Sequence, residues 1–486
     1  MADVNLIING QAIAAPVGST VLAAAEAAGI RIPTLCAMKE LDPNACCRIC
    51  VVEIDGARTL QHACATKVRE GMVVRTDTER VRASRKLTLE LLLAHHSVDC
   101  HHCLRIGNSR VDDLDPKLCE SCFFCDCVRD GFCELQSLAR EYKVDKLPFE
   151  IRADEYTVDA STPIVRNPNK CIKCRRCVDI CNKVQTVHNL CITGRGVEVQ
   201  VAPAFNKAMA ESDCVRCGRC VEVCPCGAVS MQEHKDEVLY AAHAYDTVTA
   251  AMITDGGFKV LNGILAEKYP DMNASVQQVA GSLKKTGINH VVDYECVERA
   301  VRADAEQLLK PRLGKELVIL ANDLAAENFL EKNFSDMKDA FAFYPSAQEK
   351  FGELAKAAYA VEGKKLVLVN ICPFGSDAAQ AEKSGSVDYA VNGRELYRIM
   401  VRTGSEPHPG RVAEPEILSA AEPAGELDAI LMPRAWNMSA QAEILELKIK
   451  RRSIRCAICS NLGQARKVLD SIRAGEEKLD VVRVIG

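Results

Sequence analysis

Two cysteine runs decide the fold of the middle of this chain: CIKCRRCVDIC at residues 171–181 and CVRCGRCVEVCP at residues 214–225. Each run has the spacing Cys-x2-Cys-x2-Cys-x3-Cys, and the second run repeats the first 43 residues later. Four cysteines at these intervals are typical ligands of [4Fe-4S] clusters. The two runs therefore predict a module that holds two such clusters.

The two runs resemble those of bacterial two-cluster ferredoxins, in which the fourth cysteine of each run ligates the cluster of the other run. The resemblance implies one cluster on Cys171, Cys174, Cys177 and Cys224, and a second cluster on Cys214, Cys217, Cys220 and Cys181. Asn182 departs from the pattern, because a proline usually follows the fourth cysteine. We interpret Cys191 and Cys226 as packed thiols that ligate neither cluster.

Residues 1–78 carry an earlier cysteine group, after a predicted β-hairpin at Asn9-Gly10 and a short helix with Ser19 as N-cap and Gly29 as its stop. The spacing Cys-x10-Cys-x2-Cys-x13-Cys involves Cys36, Cys47, Cys50 and Cys64. Irregular loop backbone lets four thiolates reach two bridged irons, so a [2Fe-2S] cluster is favoured. A structural zinc site is the alternative, although zinc usually takes two compact Cys-x2-Cys hooks. Cys46 is interpreted as a packed free thiol.

The next segment combines HHSVDCHHC at residues 95–103 with CVRDGFCELQ at residues 127–136. It resembles the site with one histidine and three cysteines that follows the [2Fe-2S] domain in [FeFe]-hydrogenases and in the large iron-sulfur subunit of respiratory complex I. The resemblance implies a [4Fe-4S] cluster on His96, Cys100, Cys103 and Cys133. In the family pattern five residues separate the last two cysteines, a spacing met here by Cys127 and Cys133, so Cys127 is the alternative to Cys103.

An insert therefore separates Cys103 from Cys133. Its stretch CESCFFCDC, residues 119–127, adds four further thiols: Cys119, Cys122, Cys125 and Cys127. Four thiols can build one more four-ligand site, so we predict a further [4Fe-4S] cluster there. Zinc and unliganded thiols are the alternatives.

From about residue 230, short apolar runs alternate with helical patterns, which predicts an α/β domain with mostly parallel strands. The predicted strands are ELVILA (316–321), KLVLVN (365–370), LDAIL (427–431), IRCAIC (454–459) and DVVRVI (480–485). The stretches SAQEKFGELAKAAYA and GQARKVLDSIRAGEEK predict helices between them.

This half resembles the catalytic domain of the [FeFe]-hydrogenase large subunit, on the stretches DYAVNGRELYRIM (388–400) and SNLGQARKVLDSIRAGEEKLDVVRVIG (460–486). That family's Thr-Ser-Cys-Cys-Pro segment falls on LANDL, Leu320 to Leu324, which has no thiol. Its Pro-Cys-Thr-Ala-Lys-Lys segment falls near ICPFGSD, where Cys372 is one place out of register. The sequence ends at Gly486, about where the final Cys-x3-Cys pair would begin. The resemblance implies a hydrogenase fold without its H-cluster, and Cys456 and Cys459 are interpreted as core thiols.

The fold class is therefore α+β and multidomain. The expected domains are a β-grasp [2Fe-2S] domain (1–78), a His/Cys cluster segment with a cysteine-rich insert (79–150), a two-[4Fe-4S] ferredoxin module (151–232) and a degenerate hydrogenase-like α/β domain (233–486). Of the 26 cysteines, 22 lie between Cys36 and Cys226, in short arrays that indicate metal rather than disulfides. The net charge of -5 gives no general basic face for nucleic acid. With no long apolar run and no signal peptide, the sequence predicts a cytoplasmic protein that does not enter a membrane.

Function follows from the resemblance. One [2Fe-2S] and three [4Fe-4S] clusters without a terminal catalyst imply an electron-transfer subunit of a flavin-based, electron-bifurcating NAD(P)H:ferredoxin oxidoreductase, with a transhydrogenase favoured over an NAD-linked formate dehydrogenase complex. The implied partners are an NAD- and flavin-binding iron-sulfur subunit, a small [2Fe-2S] subunit, an NADPH-binding or formate-oxidising subunit, and soluble ferredoxin, in a higher oligomer. A redox or iron sensor is the rival interpretation. No substrate, flavin or NAD site is expected on this chain.

Overall fold

The computed structural model describes residues 3–96, 133–144, 148–149, 156–270, 272–373, 375–419, 425–434, 436–449 and 452–486. Six of the predicted ligands, all between residues 100 and 127, lie outside the described residues: Cys100, Cys103, Cys119, Cys122, Cys125 and Cys127.

The N-terminal sheet has five strands, β1 (Asp3–Ile8), β2 (Gln11–Pro16), β3 (Val51–Ile54), β4 (Gln61–His62) and β5 (Met72–Arg75). Their order in the sheet is β2-β1-β5-β3-β4, with β1 parallel to β5 and antiparallel to β2. The predicted hairpin is confirmed, because Asn9 and Gly10 both have positive φ, at 51° and 84°, as a type I′ turn requires. The cysteines follow on the loops between α1 (Val21–Ala27) and β5.

The N-cap prediction for α1 is wrong by one residue. The side chain of Thr20 accepts a hydrogen bond from the N–H of Ala23 at 3.1 Å, so Thr20 is the N-cap. Ser19 instead donates its hydroxyl to the carbonyl of Pro16 at 2.7 Å. Both hydroxyls can cap a helix, and the backbone turn after β2 decides which of them does.

Two helices connect this domain to the cysteine repeat: α2 (Glu79–Ala94) and α3 (Glu134–Glu141). They pack against each other through Leu89, Leu93, Leu135 and Leu138, which are all buried. The same core includes cysteines of both the [2Fe-2S] loop and the repeat. This shared core fixes the segment between the two predicted cluster domains.

The repeat contains short elements: β6 (Ile164–Arg166), α4 (Arg176–Asp179), β7 (Cys191–Thr193), β8 (Gln200–Ala202), α5 (Arg219–Glu222) and β9 (Val229–Met231). β6 pairs with β9 and β7 pairs with β8, both antiparallel. α4 and α5 occupy the same position in the two cysteine runs, and they pack against each other. The predicted internal repeat is therefore also a structural repeat.

The C-terminal domain contains two sheets. One has the order β11-β10-β14-β15, all parallel, and the other has the order β13-β12-β18-β17-β16, in which only β16 is antiparallel to its neighbour. Their strands are β10 (Thr247–Ile253), β11 (His290–Val292), β12 (Val318–Ala321), β13 (Phe341–Phe343), β14 (Lys365–Cys372), β15 (Tyr389–Asn392), β16 (Glu443–Ile449), β17 (Arg452–Cys459) and β18 (Val481–Val484). The expected parallel α/β pattern is present.

Helices lie on both faces of these sheets, so the central strands are apolar on both sides. They are α6 (Lys235–His243), α7 (Asp255–Lys268), α8 (Val276–Thr286), α9 (Tyr294–Leu309), α10 (Leu324–Asn333), α11 (Ala347–Tyr359), α12 (Gly375–Ser384), α13 (Gly393–Thr403), α14 (Asp428–Leu431) and α15 (Leu462–Arg473).

The strand prediction for LDAIL, residues 427–431, is wrong, because Asp428–Leu431 forms the single helical turn α14. Periodicity cannot separate a short buried strand from a buried helical turn. Ile430 and Leu431 are buried in the core beside β12 and β18. The guanidinium of Arg483 donates to the carbonyls of Ile430 and Met432, at 2.7 and 2.5 Å, and holds the turn against the sheet. The other four quoted strands are confirmed.

Candidate iron-sulfur sites

The first group of cysteines in the repeat surrounds one cavity. Its lining includes four thiols contributed by both runs: Cys171, Cys174, Cys177 and Cys224. Cys224 reaches this group from the second run, as the crosswise pairing of ferredoxins requires. Cys226 also lines the cavity, but its thiol donates to the carbonyl of Lys170 at 3.0 Å.

The second group surrounds a separate cavity, lined by Cys181, Cys214, Cys217 and Cys220. Cys181 comes from the first run and lies in a π-helical turn, Ile180–Val184, directly after α4. The extra residue per turn carries its thiol to the other run's cysteines. The structure thus brings together the two sets of four thiols that the sequence predicts.

Backbone N–H groups point at the sulfurs in both groups. Lys173 N–H donates to Cys171 Sγ at 3.4 Å, and Arg216 N–H donates to Cys214 Sγ at 3.3 Å. The two donors occupy the same position in the repeat and have positive φ, at 56° and 65°. Hydrogen bonds of this kind stabilise thiolate sulfur, so the loops fit cluster ligation.

Burial controls the proton affinity of these thiols. It raises the pKa of Cys171 and of Cys181 to about 11 and that of Cys214 to about 12, and it raises the pKa of Cys177 and of Cys220 well above the usual value for a thiol. Iron-free chains therefore keep these thiols protonated at neutral pH. Cluster insertion must release those protons, since thiolates are the ligands.

The thiols of the N-terminal domain also converge. Hydrogen bonds from Cys46 and Cys47 hold the pKa of Cys36 well below its usual range, and a hydrogen bond from Cys64 lowers the pKa of Cys50. The four predicted [2Fe-2S] ligands are all buried. Cys46 is a fifth thiol at this site; the sequence predicted a packed free thiol there but not its contacts with Cys36 and Cys174.

Cys46 also contacts the ferredoxin repeat. Its thiol donates to the carbonyl of Cys174 at 3.3 Å, which joins the [2Fe-2S] loop to the first cavity of the repeat. Asn44, two residues earlier, donates from its amide to the carboxylate of Asp179 at the end of α4. The two predicted cluster sites are therefore in direct contact through the side chains of one loop.

Of the predicted histidine-ligated site, only His96 and Cys133 are described. His96 follows α2 and is 4% exposed. The backbone of Lys170 lies near the ring, but neither ring nitrogen makes a hydrogen bond of standard geometry with the described residues. Burial lowers the pKa of His96 to about 4, so the ring is neutral at pH 7. A buried, neutral imidazole without a well-formed hydrogen bond suits a metal ligand. Cys133 is buried at the start of α3, and the next residue, Glu134, donates its N–H to Pro225 O at 3.0 Å, next to Cys224.

The resemblance puts the family's catalytic cysteines near the ends of β12 and β14, where the described side chains are Asp323, Asp377 and Cys372. Asp323, at the end of β12, caps α10 by accepting from Ala326 N–H at 2.9 Å. Asp377 lies in the first turn of α12, where burial and then the charge of Asp323 raise its pKa to about 6. Cys372 is fully buried at the end of β14, and its thiol donates to Val391 O at 3.6 Å.

The interpretation of Cys456 and Cys459 as core thiols is confirmed, because both side chains are fully buried in β17, facing different parts of the core. Across the described residues, no group of three or more His, Cys, Asp or Glu side chains is arranged to hold a single metal ion. No helix in the described part of the chain is both long and apolar enough to cross a membrane.

Family models match three parts of the chain: a 2Fe-2S iron-sulfur cluster binding domain at residues 1–79, a 4Fe-4S binding domain at residues 210–230, and the iron only hydrogenase large subunit, C-terminal domain, at residues 262–486. The first match contains Cys36, Cys47, Cys50 and Cys64, and the second contains the second cysteine run, residues 214–225.

Three relatives are similar over different lengths. The chain is 33% identical over 426 residues to the NADP-reducing hydrogenase subunit HndD of Solidesulfovibrio fructosivorans, covering 83% of this chain and 67% of that protein. It is 38% identical over 213 residues to one of the NADH-quinone oxidoreductase subunits of Rhizobium meliloti, covering 43% of this chain and 22% of that protein. It is 29% identical over 194 residues to the NADPH-Fe(3+) oxidoreductase subunit alpha of Geobacter sulfurreducens, covering 40% of this chain and 20% of that protein.

Proposed function

The chain belongs to the iron-only hydrogenase large-subunit family of oxidoreductases, and its N-terminal part is like that of complex I subunits. From this premise we propose that it is the iron-sulfur electron-transfer subunit of a flavin-based NAD(P)H:ferredoxin oxidoreductase. The complex would be electron-bifurcating, with transhydrogenation between NADH and NADP as its reaction. The chain itself would carry electrons and have no hydrogenase activity.

We assign the ligands from the converging thiols. Cys36, Cys47, Cys50 and Cys64 would hold the [2Fe-2S] cluster, and the two groups of the repeat would each hold a [4Fe-4S] cluster. His96 and Cys133, with Cys100 and either Cys103 or Cys127, would hold the third [4Fe-4S] cluster. When bound, such clusters accept and donate single electrons.

The observation that carries the proposal is the contact between successive thiol groups. Cys46 joins the [2Fe-2S] loop to the first cavity of the repeat through Cys174 O at 3.3 Å. The two cavities of the repeat are adjacent, because α4, which contains Cys177, packs against α5, which contains Cys220. Side chains and short backbone segments therefore connect three sites without a break, as an electron path needs.

The C-terminal domain supports a role in electron transfer without hydrogen conversion on this chain. At the strand ends where the resemblance puts the family's catalytic cysteines, the described residues include Asp323 and Asp377, whose pKa values are raised by burial, and Cys372 is turned into the core. Carboxylates with raised pKa values are weak substitutes for the thiolate ligands of an iron-sulfur centre. The domain would then serve as a scaffold on which a partner's redox module docks.

Partner subunits would supply the missing chemistry. HndD is a subunit of an NADP-reducing hydrogenase, and the Geobacter relative is a subunit of an NADPH-Fe(3+) oxidoreductase. By analogy, we propose a flavin- and NAD-binding subunit and a small [2Fe-2S] subunit as neighbours, with soluble ferredoxin as an exchange partner. A formate-oxidising subunit would indicate a formate dehydrogenase complex instead.

Anaerobic purification of the untagged complex from its native host, followed by mass spectrometry of every co-purifying subunit, tests the proposal. We expect an NAD- and flavin-binding subunit in equal amount, together with reduction of NADP or ferredoxin by NADH in the purified complex. Recovery of this chain alone would contradict the proposal and favour a redox or iron sensor. Hydrogen evolution by the purified complex would contradict the assignment of the C-terminal domain only if it persisted after every co-purifying hydrogenase had been removed.

A further inference from the structure

The internal repeat places an arginine before the third cysteine of each run: Arg176 in the first run and Arg219 in the second. These two residues begin α4 and α5 and have the same backbone setting. Their guanidinium groups nevertheless face different surroundings. Arg176 and Arg219 therefore allow the same side chain to be compared in two environments.

Arg219 lies in the wall of the second cavity, beside Cys181, Cys214, Cys217 and Cys220. It is 5% exposed. Among the described residues that line this cavity, Arg219 is the one charged side chain, and no carboxylate lines it. The nearest carboxylate to the guanidinium is Glu222, at 3.6 Å, on the same helix.

Contacts with the C-terminal domain fix the guanidinium of Arg219 in this position. One terminal nitrogen donates to the carbonyl of Gly486 at 2.6 Å. The guanidinium carbon lies 4.5 Å from the ring centre of Trp436, a cation–π distance. Trp436 in turn donates its indole N–H to Gln185 Oε1 at 3.3 Å.

Arg176 does not line the first cavity, although its guanidinium lies within electrostatic reach of Cys174 and Cys36. Its guanidinium forms an ion pair with Glu134 at 2.8 Å, and Glu134 is 46% exposed. The arginine that lines the first cavity from a buried position is Arg166, which faces the buried carboxylate of Asp159 at 3.9 Å. Near the first cavity, Arg166 and Arg176 are thus each paired with a carboxylate. Arg219 interacts with Glu222 and with Asp323 and Asp377 of the C-terminal domain, but its guanidinium itself lines the second cavity.

We propose that Arg219 raises the reduction potential of the [4Fe-4S] cluster held by Cys181, Cys214, Cys217 and Cys220, and that Trp436 is a positioning residue that holds the guanidinium against it. One-electron reduction adds a negative charge to the cluster, and a buried cation stabilises that charge in a medium of low dielectric constant. Arginine keeps its charge at every working pH. The inference rests on the proposed function, because it requires that these cysteines hold a cluster.

The test uses the complex purified anaerobically with full-length variants of this chain, an iron and sulfide assay, and a redox titration followed by electron paramagnetic resonance. We expect Arg219→Gln to weaken the one-electron reduction of one [4Fe-4S] cluster at least tenfold, which corresponds to a fall of about 59 mV in its midpoint potential. Arg219→Lys keeps the charge and is expected to restore most of the wild-type value. Arg176→Gln is the matched control and should leave the potential of the cluster beside Arg219 unchanged.

A second variant covers the case in which Arg219→Gln fails to retain its iron. Trp436→Leu leaves the arginine in place, and we expect a smaller fall in the same potential, with no further fall when it is combined with Arg219→Gln, since the two residues act as one unit. An unchanged potential in Trp436→Leu and Arg219→Gln, or an equal fall in Arg219→Lys and Arg219→Gln, would overturn the inference. Absence of both [4Fe-4S] signals of the repeat from the wild-type complex would overturn the proposed function itself.

Discussion

His96 is the buried side chain whose surroundings most clearly call for a metal. Neither of its ring nitrogens makes a hydrogen bond of standard geometry with the described residues, and leaving such a buried group without one costs about 1–3 kcal/mol. A bound cluster would remove that cost. Its neighbour His95 is exposed at the end of α2 and provides the natural comparison.

Replacement of His96 tests this role. We expect His96→Ala to lose about four iron atoms per chain, because a [4Fe-4S] cluster would lose a ligand. His96→Cys should retain the iron but lower the potential of that cluster, since thiolate adds negative charge where imidazole adds none. His95→Ala is the control, and both iron content and potentials should match the wild type. Full iron content in His96→Ala would contradict a ligand role.

The raised pKa of Asp377 makes the stability of the folded chain depend on pH. Its pKa rises from 3.8 to about 6 in the folded chain, first because it is buried and then because Asp323 is near. A carboxyl with a raised pKa binds its proton more tightly when folded. Its contribution to stability is therefore present at low pH and is lost as the pH rises from about 4 to about 6. At about 1.36 kcal/mol per pKa unit, the loss is about 3 kcal/mol.

We expect Asp377→Asn to raise the melting temperature at pH 7.5, because the amide carries no charge to bury. The gain should shrink toward pH 4.5, where the wild-type carboxyl is protonated. The measurement is a thermal melt of both proteins at several pH values. Asp246→Asn, at an exposed position, is the control and should show no gain at any pH. An equal gain for Asp377→Asn at pH 4.5 and 7.5 would show that it acts through packing instead.

Among the elements, the loop of the second cysteine run approaches α12 closely. A Cβ atom on Gly218 would lie 2.8 Å from the backbone nitrogen of Gly375, which is closer than real contacts allow. Gly218 also has a positive φ of 72°, but Arg175, at the same repeat position, tolerates φ of 66° with a full side chain. The close approach to α12, and not the backbone conformation, therefore requires glycine here.

Gly218→Ala should separate the repeat from the C-terminal domain. We expect faster limited proteolysis between the two and a lower melting temperature, because Gly375 begins α12 and cannot shift without moving the helix. Gly404→Ala is the control: Gly404 has φ of 58° with no atom within 4 Å of the added Cβ, so only about 1–2 kcal/mol of backbone strain is expected. Equal effects of the two substitutions would contradict a role for the contact.

Local elements were predictable because their signals are local. The hairpin follows from Asn9-Gly10, and α11 begins at the capping box of Ser346 and Glu349. The order of the strands was not predictable, since β18 pairs with β12 and β17 only after the whole domain has assembled. The short run at residues 427–431 was misread as a strand for the same reason: Arg483, far along the chain, holds it as a helical turn.

Across the whole molecule, the resemblance to two-cluster ferredoxins, carried by the cysteine spacing, predicted which thiols of the repeat share a cavity. It did not predict how the cavities connect. Cys46 meets Cys174 across 128 residues of sequence, and Arg219 meets Gly486 across 267 residues. Such contacts depend on the packing of separate domains, which leaves no short sequence pattern.

Measuring the metal content of the whole chain distinguishes the three alternatives for the cysteine-rich insert: a further [4Fe-4S] cluster, zinc or unliganded thiols. One [2Fe-2S] and three [4Fe-4S] clusters predict about 14 iron atoms per chain. A further cluster in the insert raises this to about 18, whereas zinc there would leave the iron unchanged and add about one zinc atom.

Iron, sulfide and zinc analysis of the wild type and of Cys122→Ser measures the difference. We expect Cys122→Ser to lose the insert's metal alone, and Cys191→Ser to lose none, because the Cys191 thiol donates to Ala202 O at 3.4 Å within the β7–β8 pair. Unchanged metal content in Cys122→Ser would contradict a ligand role for Cys122.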